Sequence, residues 1–320
     1  MSDFGPGGRV RRLGFAVKVL GDGGLPSHDT RRWQSHPHLS RSLELVEAIF
    51  GYLDRNDIRM YRFASALAPY ATHPDMPRFH RQVADCEEEL ARCGGRAREL
   101  GIRLSFHPGQ YTVLNSERAD VRAAASADVD LQARILDAMG LDAEAVVVIH
   151  VGGAAGGVQA GLERFLAAYE RLSPAAQARL VVENDDRTFD LDAALQLHER
   201  TGIRVVWDAL HHRCHNPHGI PEAEALARAL GTWPAAVTPK IHYSSPRLDV
   251  EVRRTHEGRR VHERIVIPPL RAHADLVDPI AFEAFLHTAG AGRAFDVMLE
   301  AKAKDLALIE LRRQLRRANS

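Results

Sequence analysis

His107, His150, Glu183, Asp208, His211, His242 and Glu300 stand at or just beyond the ends of successive short apolar runs. A single histidine in such a place is most often a hydrogen-bonded structural residue. A whole set is different. Burying that many titratable groups together is costly unless cations compensate them. Imidazole and carboxylate donors suit Mn²⁺, Zn²⁺ or Fe²⁺, and there are enough of them for two or three ions. A paired site suits phosphoryl chemistry, because two ions can clamp the attacking and leaving oxygens together.

Three further stretches could do chemistry. His211 opens the run HHRCHNPH, which ends at His218 and contains Cys214. Either this run makes a separate zinc site, or it supplies His211 to the main cluster; its spacing matches no standard zinc finger. Gly152 and Gly153 follow His150, where they could admit a phosphate to the backbone or simply make a tight turn. After His107 the chain reads Pro108-Gly109-Gln110-Tyr111. A tyrosine ring and an amide at a loop tip suit filling a gap in stacked nucleic acid. The plainer alternative is Tyr111 packing over a rim.

Eight β-rich runs must position these residues. They are Leu13–Val19, Ile58–Ala64, Arg103–Pro108, Ala145–Val151, Arg179–Asp185, Arg204–Leu210, Ala236–Ser244 and Ala294–Ala301. The fourth to sixth are continuously apolar, as strands buried on both faces should be. Helical stretches lie between them, at Pro77–Leu100, Ala123–Met139, Leu162–Arg171, Leu191–Arg200 and Glu222–Leu230. Strand and helix in alternation predict an α/β fold with a parallel sheet, and eight units predict a closed (β/α)8 TIM barrel. We expect one catalytic domain over 1–320, with a flexible N-terminus at 1–11. Arg247–Arg271 is expected as a basic insertion after the seventh strand, turning as a hairpin at Glu257-Gly258. It is either a solvated excursion or a DNA-contacting arm.

The 320 residues are 45% hydrophobic and 26% charged, which suits a globular chain with a sizeable core. Lys+Arg and Asp+Glu are both 42, so no global basic field exists to hold a polyanion. Any nucleic-acid binding needs a local patch or bound cations. No apolar run approaches the ~18 residues of a membrane span, and the start has no apolar secretory segment. Three cysteines without a CxxC pair fit a reducing cytoplasm.

The motifs also carry a likeness. Arg12-Leu13-Gly14-Phe15, Ser105-Phe106-His107-Pro108-Gly109-Gln110-Tyr111, His150-Val151-Gly152-Gly153, Glu183-Asn184-Asp185-Asp186, Asp208-Ala209-Leu210-His211-His212, Lys240-Ile241-His242-Tyr243-Ser244-Ser245-Pro246 and Leu299-Glu300-Ala301-Lys302 occur in that order. Together they resemble the UV damage endonuclease family over roughly residues 11 to 312. The resemblance implies a TIM barrel of the xylose-isomerase-like and endonuclease IV-like kind. It implies nicking of double-stranded DNA immediately 5′ to a UV photoproduct, leaving a 3′-hydroxyl and a 5′-phosphate. The implied metal ligands are His73, His107, His150, Glu183, Asp208, His211, His242, His273 and Glu300. Lys240, Glu183 and His242 are the implied catalytic residues. The matching lysine is carboxylated in the family; a neutral, Glu-paired or phosphate-contacting Lys240 is the alternative. Gln110, Tyr111, Phe15, Ser244 and Ser245 are the implied contacts to DNA and lesion, Phe15 standing where the family often has tyrosine.

The expected cofactor is two or three divalent ions, Mn²⁺ first, with Zn²⁺ or Mg²⁺ as alternatives. The expected partner is DNA carrying UV lesions, with no membrane and no obligate protein partner, in the cytoplasm and at the nucleoid. The rivals are a metal-dependent sugar isomerase or epimerase, an abasic-site endonuclease on the same barrel, and a non-catalytic metal-binding barrel that recognises distorted DNA. A small closed pocket without a protruding Gln-Tyr tip would favour the isomerase.

Overall fold

A computed structural model describes residues 10–257, 260–288 and 293–318. The apolar runs form the parallel strands β1 Val10–Ala16, β2 Met60–Arg62, β3 Arg103–Phe106, β4 Val146–His150, β5 Leu180–Glu183, β6 Arg204–Val206 and β7 Lys240–Tyr243. A hairpin of β8 Glu251–Glu257 and β9 Arg260–Val266 follows, and then the last barrel strand, β10 Phe295–Leu299. The sheet order is β6-β5-β4-β3-β2-β1-β10-β7. The remaining seam, between β6 and β7, is bridged by the parallel pair Asp208 and His242. There the His242 amide donates to the Trp207 carbonyl at 3.0 Å. The result is a nearly closed eight-stranded α/β barrel, as expected.

The helices wrap the outside. They are α1 Leu39–Arg55, α2 Gln82–Asp85, α3 Glu87–Glu99, α4 Ala119–Ala138, α5 Val158–Tyr169, α6 Pro174–Arg179, α7 Leu191–Thr201, α8 Ala209–Cys214, α9 Glu222–Gly231, α10 Pro279–Thr288 and α11 Lys304–Ala318. Strand side chains alternate between two cores. Val147, Ile149, Val182 and Val205 join the core under the helices. Val146, Val148, Val181 and Val206 gather with Trp233 in a second cluster. Both faces are apolar, which is why these runs read without polar interruption.

At the end where the strands begin, buried and half-buried arginines meet partners of the chain's own. Arg103 donates to Asp296 at 2.7 Å, both side chains being almost fully buried. Arg12 reaches Glu144 at 2.6 Å and Asp296 at 3.3 Å. Arg204 donates to the carbonyls of Ala143 and Ala178. Arg293 donates to those of Trp233, Pro234 and Val237.

Several boundaries differ from the sequence expectation. β1 begins at Val10, so residues 10 and 11 belong to the barrel rather than a flexible terminus; residues 1–9 lie outside the described residues. The expected single helix over 77–100 is broken at Cys86, between α2 and α3. Helices α1, α10 and α11 were not anticipated. In α1 the buried residues Leu39, Leu43, Val46, Ile49, Phe50 and Leu53 recur at helical spacing, and the His38 ring accepts the Ser40 amide as its cap. The β8–β9 hairpin exists as expected, paired from Glu251–Val266 to Glu257–Arg260. Gly258, in its expected turn, lies outside the described residues. No helix among those described is long and apolar enough to cross a membrane.

Candidate metal centre

The strands end together at the opposite rim, and parallel register aligns their last side chains. His150 pairs with Glu183 across β4 and β5. Asp208 and His242 meet at the seam. Three overlapping triads result, each with donor atoms within 4.8 Å of one another: His107, His150 and Glu183; Glu183, Asp208 and His211; His107, His242 and Glu300. Glu183 lies in two of them and is fully buried. Its Oε2 is 3.0 Å from His107 Nε2 and 3.1 Å from His242 Nδ1, and its Oε1 is 3.3 Å from His211 Nδ1. The His107 and His242 rings stack with centroids 5.7 Å apart.

Backbone and neighbouring side chains hold these donors in place. Asp208 caps α8, accepting the His211 amide at 2.7 Å. Asn184 fixes Asp208 from below, its Oδ1 accepting the Asp208 amide and its Nδ2 donating to the Asp208 carbonyl. His107 Nδ1 lies 3.1 Å from the Pro108 carbonyl and His211 Nδ1 lies 3.0 Å from that of Asn184. Arg62 on β2 contacts Glu300 at 2.5 Å. Sequence reasoning missed Arg62 and Asn184. The signal for Arg62 was a cation inside an apolar run, two residues beyond Met60 and therefore on the same strand face.

The electrostatics follow from burial among mixed charges. Burial raises the Glu183 carboxyl, but His242 and His150 more than reverse that and leave it well below its ordinary value. Burial likewise opposes ionisation of Glu300, and Arg62 overcomes it. Asp208 is pushed up, by burial first. His107 is depressed to about 4 by burial. At His211 burial is outweighed by Asp208 and Glu183, which lift it to about 11. Lys240 is pushed far below its usual range by burial and by Arg103 and Arg62. It is the first residue of β7, not near its end, and lies two residues before His242 on the same face.

Donors are left over. Glu183 Oε1, Asp208 Oδ2, His150 Nδ1, both ring nitrogens of His242 and Lys240 Nζ are buried without a hydrogen-bond partner. Buried polar atoms are normally satisfied, so such a concentration calls for an explanation. A nearly closed ring of lone pairs facing one another is the arrangement that divalent cations satisfy.

The other expected residues divide. His273 sits at the rim, 3.9 Å from Glu300 Oε2 and with its ring 6.2 Å from that of His211, but in none of the triads. His73 is also outside them; its Nδ1 accepts the Asp75 amide at 3.2 Å. Gln110 and Tyr111 occupy the tip of a turn closed by the Thr112 amide on the Gly109 carbonyl, 3.0 Å. Tyr111 is 84% exposed, so it is not rim packing. Phe15 does not face DNA: it is fully buried and packs edge-on to Tyr61 at 5.5 Å. Ser244 and Ser245 are buried too, and Ser245 Oγ accepts the Asp278 amide. In the HHRCHNPH run, His211 turns to the centre while His212 Nε2 bonds the Ile220 carbonyl at 2.9 Å. Cys214 joins no cluster among the described residues. Gly152 has φ +114°, and a Cβ there would lie 2.4 Å from Asn115 Oδ1. Asn115 clasps Gly153 by both its amide and its carbonyl, at 2.7 Å each, which ties the Gln110–Tyr111 loop to the loop after β4. The glycines therefore serve a tight loop junction.

Known proteins resemble this chain in sequence and fold. A family model described as UV-endonuclease UvdE matches residues 39–320. The UV DNA damage endonuclease of Bacillus mycoides (strain KBAB4) is 32% identical over 273 residues, 85% of this chain and 80% of that protein. The crystal structure of SacUVDE superposes with a TM-score of 0.78 at 28% identity, covering 96% of this chain and 99% of that one. Endonuclease IV from Thermus thermophilus has the same fold at a TM-score of 0.54 and 17% identity, covering 96% and 99%. The model match and the relatives, spanning most of a barrel with this mouth, establish that the chain belongs to the UV-endonuclease UvdE family.

Proposed function

We propose that the chain is a metal-dependent endonuclease that hydrolyses the DNA phosphodiester immediately 5′ to a UV photoproduct, leaving a 3′-hydroxyl and a 5′-phosphate. The whole chain acts as one catalytic domain, working at the nucleoid. The observation that carries this is the set of buried atoms without a hydrogen bond at the barrel mouth, namely Glu183 Oε1, Asp208 Oδ2, His150 Nδ1 and both ring nitrogens of His242. Their chemistry fits two or three divalent ions, Mn²⁺ first, with Zn²⁺ or Mg²⁺ as alternatives. His107, His150, Glu183, Asp208, His211, His242 and Glu300 would hold them, with His73 and His273 completing the set from the rim. Ions bound there supply charge neutralisation of the phosphate and a nucleophile at neutral pH.

The chain's own residues do the rest. Arg62 holds Glu300, and Asn184 holds Asp208, so donor atoms stay aimed at the centre without substrate. Burial, with Arg103 and Arg62 nearby, pushes the Lys240 amine well below its ordinary value and so disfavours its ammonium form. A neutral amine adds CO₂, losing one proton, to give a carbamate anion; such an anion would supply another oxygen donor toward His242. The exposed Tyr111 ring and the Gln110 amide would fill the stack when the damaged dinucleotide rotates out. A distorted lesion makes that rotation cheaper.

The test is a duplex carrying one photoproduct, labelled at the 5′ end of the damaged strand, incubated with the protein and Mn²⁺. The expected product ends at the nucleotide directly 5′ of the lesion and is extended by a polymerase, which requires a 3′-hydroxyl. Cleavage on the 3′ side, or a product the polymerase cannot extend, would overturn the proposed chemistry. Cleavage at an abasic site but not at the photoproduct would favour the abasic-site reading.

A further inference from the structure

The β8–β9 hairpin has two unlike faces. Antiparallel pairing sets Arg253 opposite Arg264, with Glu251 opposite Val266 and Thr255 opposite His262 on that same face. The other face carries Val252 opposite Ile265, then Arg254 opposite Glu263. On this second face the charges cancel, since Arg254 Nε is 2.7 Å from Glu263 Oε1. On the first they do not. Arg264 makes no ion pair among the described residues, and Arg253 shares Glu251 with Arg247, its Nε and Nη2 each 3.4 Å from Oε2 while Arg247 Nη1 lies 2.5 Å from Oε1. Like charges directly opposite on a ladder destabilise it. Two exposed guanidiniums held side by side are therefore a local loss that a bound anion would reverse.

The hairpin's root adds a second observation. It leaves the barrel after β7 and returns through a bridge between Pro246 and His273, with the Arg247 amide donating to the Ala272 carbonyl at 2.6 Å. Arg271 Nε is 3.3 Å from Asp186, three residues beyond Glu183. The arm thus springs from the rim of the metal centre. A net charge of zero for the whole chain leaves phosphate binding to such local features.

We infer that the hairpin is a DNA-gripping arm whose Arg253 and Arg264 contact phosphates of the duplex flanking the scissile bond. This rests on the endonuclease reading for its substrate but not for its test. The test compares wild type with the Arg253→Ala/Arg264→Ala double variant, using full-length chain and undamaged duplex in an anisotropy titration across salt concentrations. Removing two phosphate contacts should lower the slope of log affinity against log salt by about 2, so the ratio of wild-type to variant affinity shifts by about tenfold between about 50 and 200 mM salt. The Arg253→Lys/Arg264→Lys variant should keep the wild-type slope, since charge is what the contact needs. If the slope drops while wild type fails to nick irradiated DNA, the arm stands and the endonuclease reading falls. An unchanged slope in the alanine variant overturns the arm. So does a chain that sediments as a dimer and becomes a monomer in Ile265→Lys, which would assign the hairpin to self-association.

Discussion

The two ends of the barrel bury charge in opposite ways. At the end where strands begin, cations and anions come from the chain itself: Arg103 meets Asp296, Arg12 meets Glu144, and Arg204 and Arg293 are spent on carbonyls. At the end where strands finish, Glu183, Asp208 and Glu300 face one another and four imidazoles, with Arg62 as the contacting guanidinium. Buried charge is tolerated only when it is compensated. The first end pairs its charges within the chain, although Arg103 Nη2 and Asp296 Oδ1 are left without a hydrogen bond. The second gathers its unpartnered atoms around three carboxylates, and the proposed cations would complete it. Stability and chemistry are thereby separated along one barrel axis, as the fold permits.

Substitutions at the two ends should therefore fail differently. Glu183→Ala should reduce nicking of irradiated DNA by about a thousandfold or more, because it removes a donor from two triads, while circular dichroism still reports a folded barrel. Unfolding of that variant would break the distinction. His150→Ala should behave in the same way with a smaller loss. Asp296→Ala should do the reverse. It strands Arg103 in the interior and should lower the unfolding free energy in urea by about 3–5 kcal/mol. Nicking per folded molecule should stay near wild type.

Arg62→Met sharpens the comparison within the mouth. Loss of a group that orients a ligand typically costs about 10–100-fold in metal affinity, and a Mn²⁺ titration of chelator-stripped protein would read it. Unchanged affinity would reduce Arg62 to a stability contact. The smallest effect belongs to the loop tip. Gln110→Ala/Tyr111→Ala should weaken binding to lesion-containing duplex by about tenfold, since stacking contributes ~1–3 kcal/mol per base. Binding to undamaged duplex and metal content should hardly change. An equal loss on both duplexes would remove these residues from damage recognition.

Much of this was legible in the sequence. Parallel strands buried on both faces leave unbroken apolar runs, and their polar last residues mark the mouth; His107, His150, Glu183, Asp208 and His242 were found that way. The partners that orient them were harder to see. Arg62 and Asn184 act through contacts set by barrel closure, which no local pattern announces. The resemblance misassigned Phe15 as a DNA contact because a motif gives the position but not the strand face. Phe15 alternates with Gly14 and Ala16 and falls in the core under the helices with Leu13. Ser244 and Ser245 are buried where β7 gives way to the hairpin root, with Ser244 Oγ left without a hydrogen bond. Helix α1 went unread although its apolar spacing is regular, because its start is masked by the polar HPHLSRS stretch. His73 and His273 lie on connections after β2 and β9, where strand periodicity carries no information.

External divalent cations are proposed to complete the mouth. The most direct measurement strips the protein with EDTA, restores Mn²⁺ stepwise, and follows bound metal per chain alongside nicking of irradiated plasmid. Stripped protein is predicted not to nick, activity to rise with occupancy to two or three ions per chain, and unirradiated plasmid to show no comparable nicking. Full nicking by protein carrying no metal would show that the mouth works without cations.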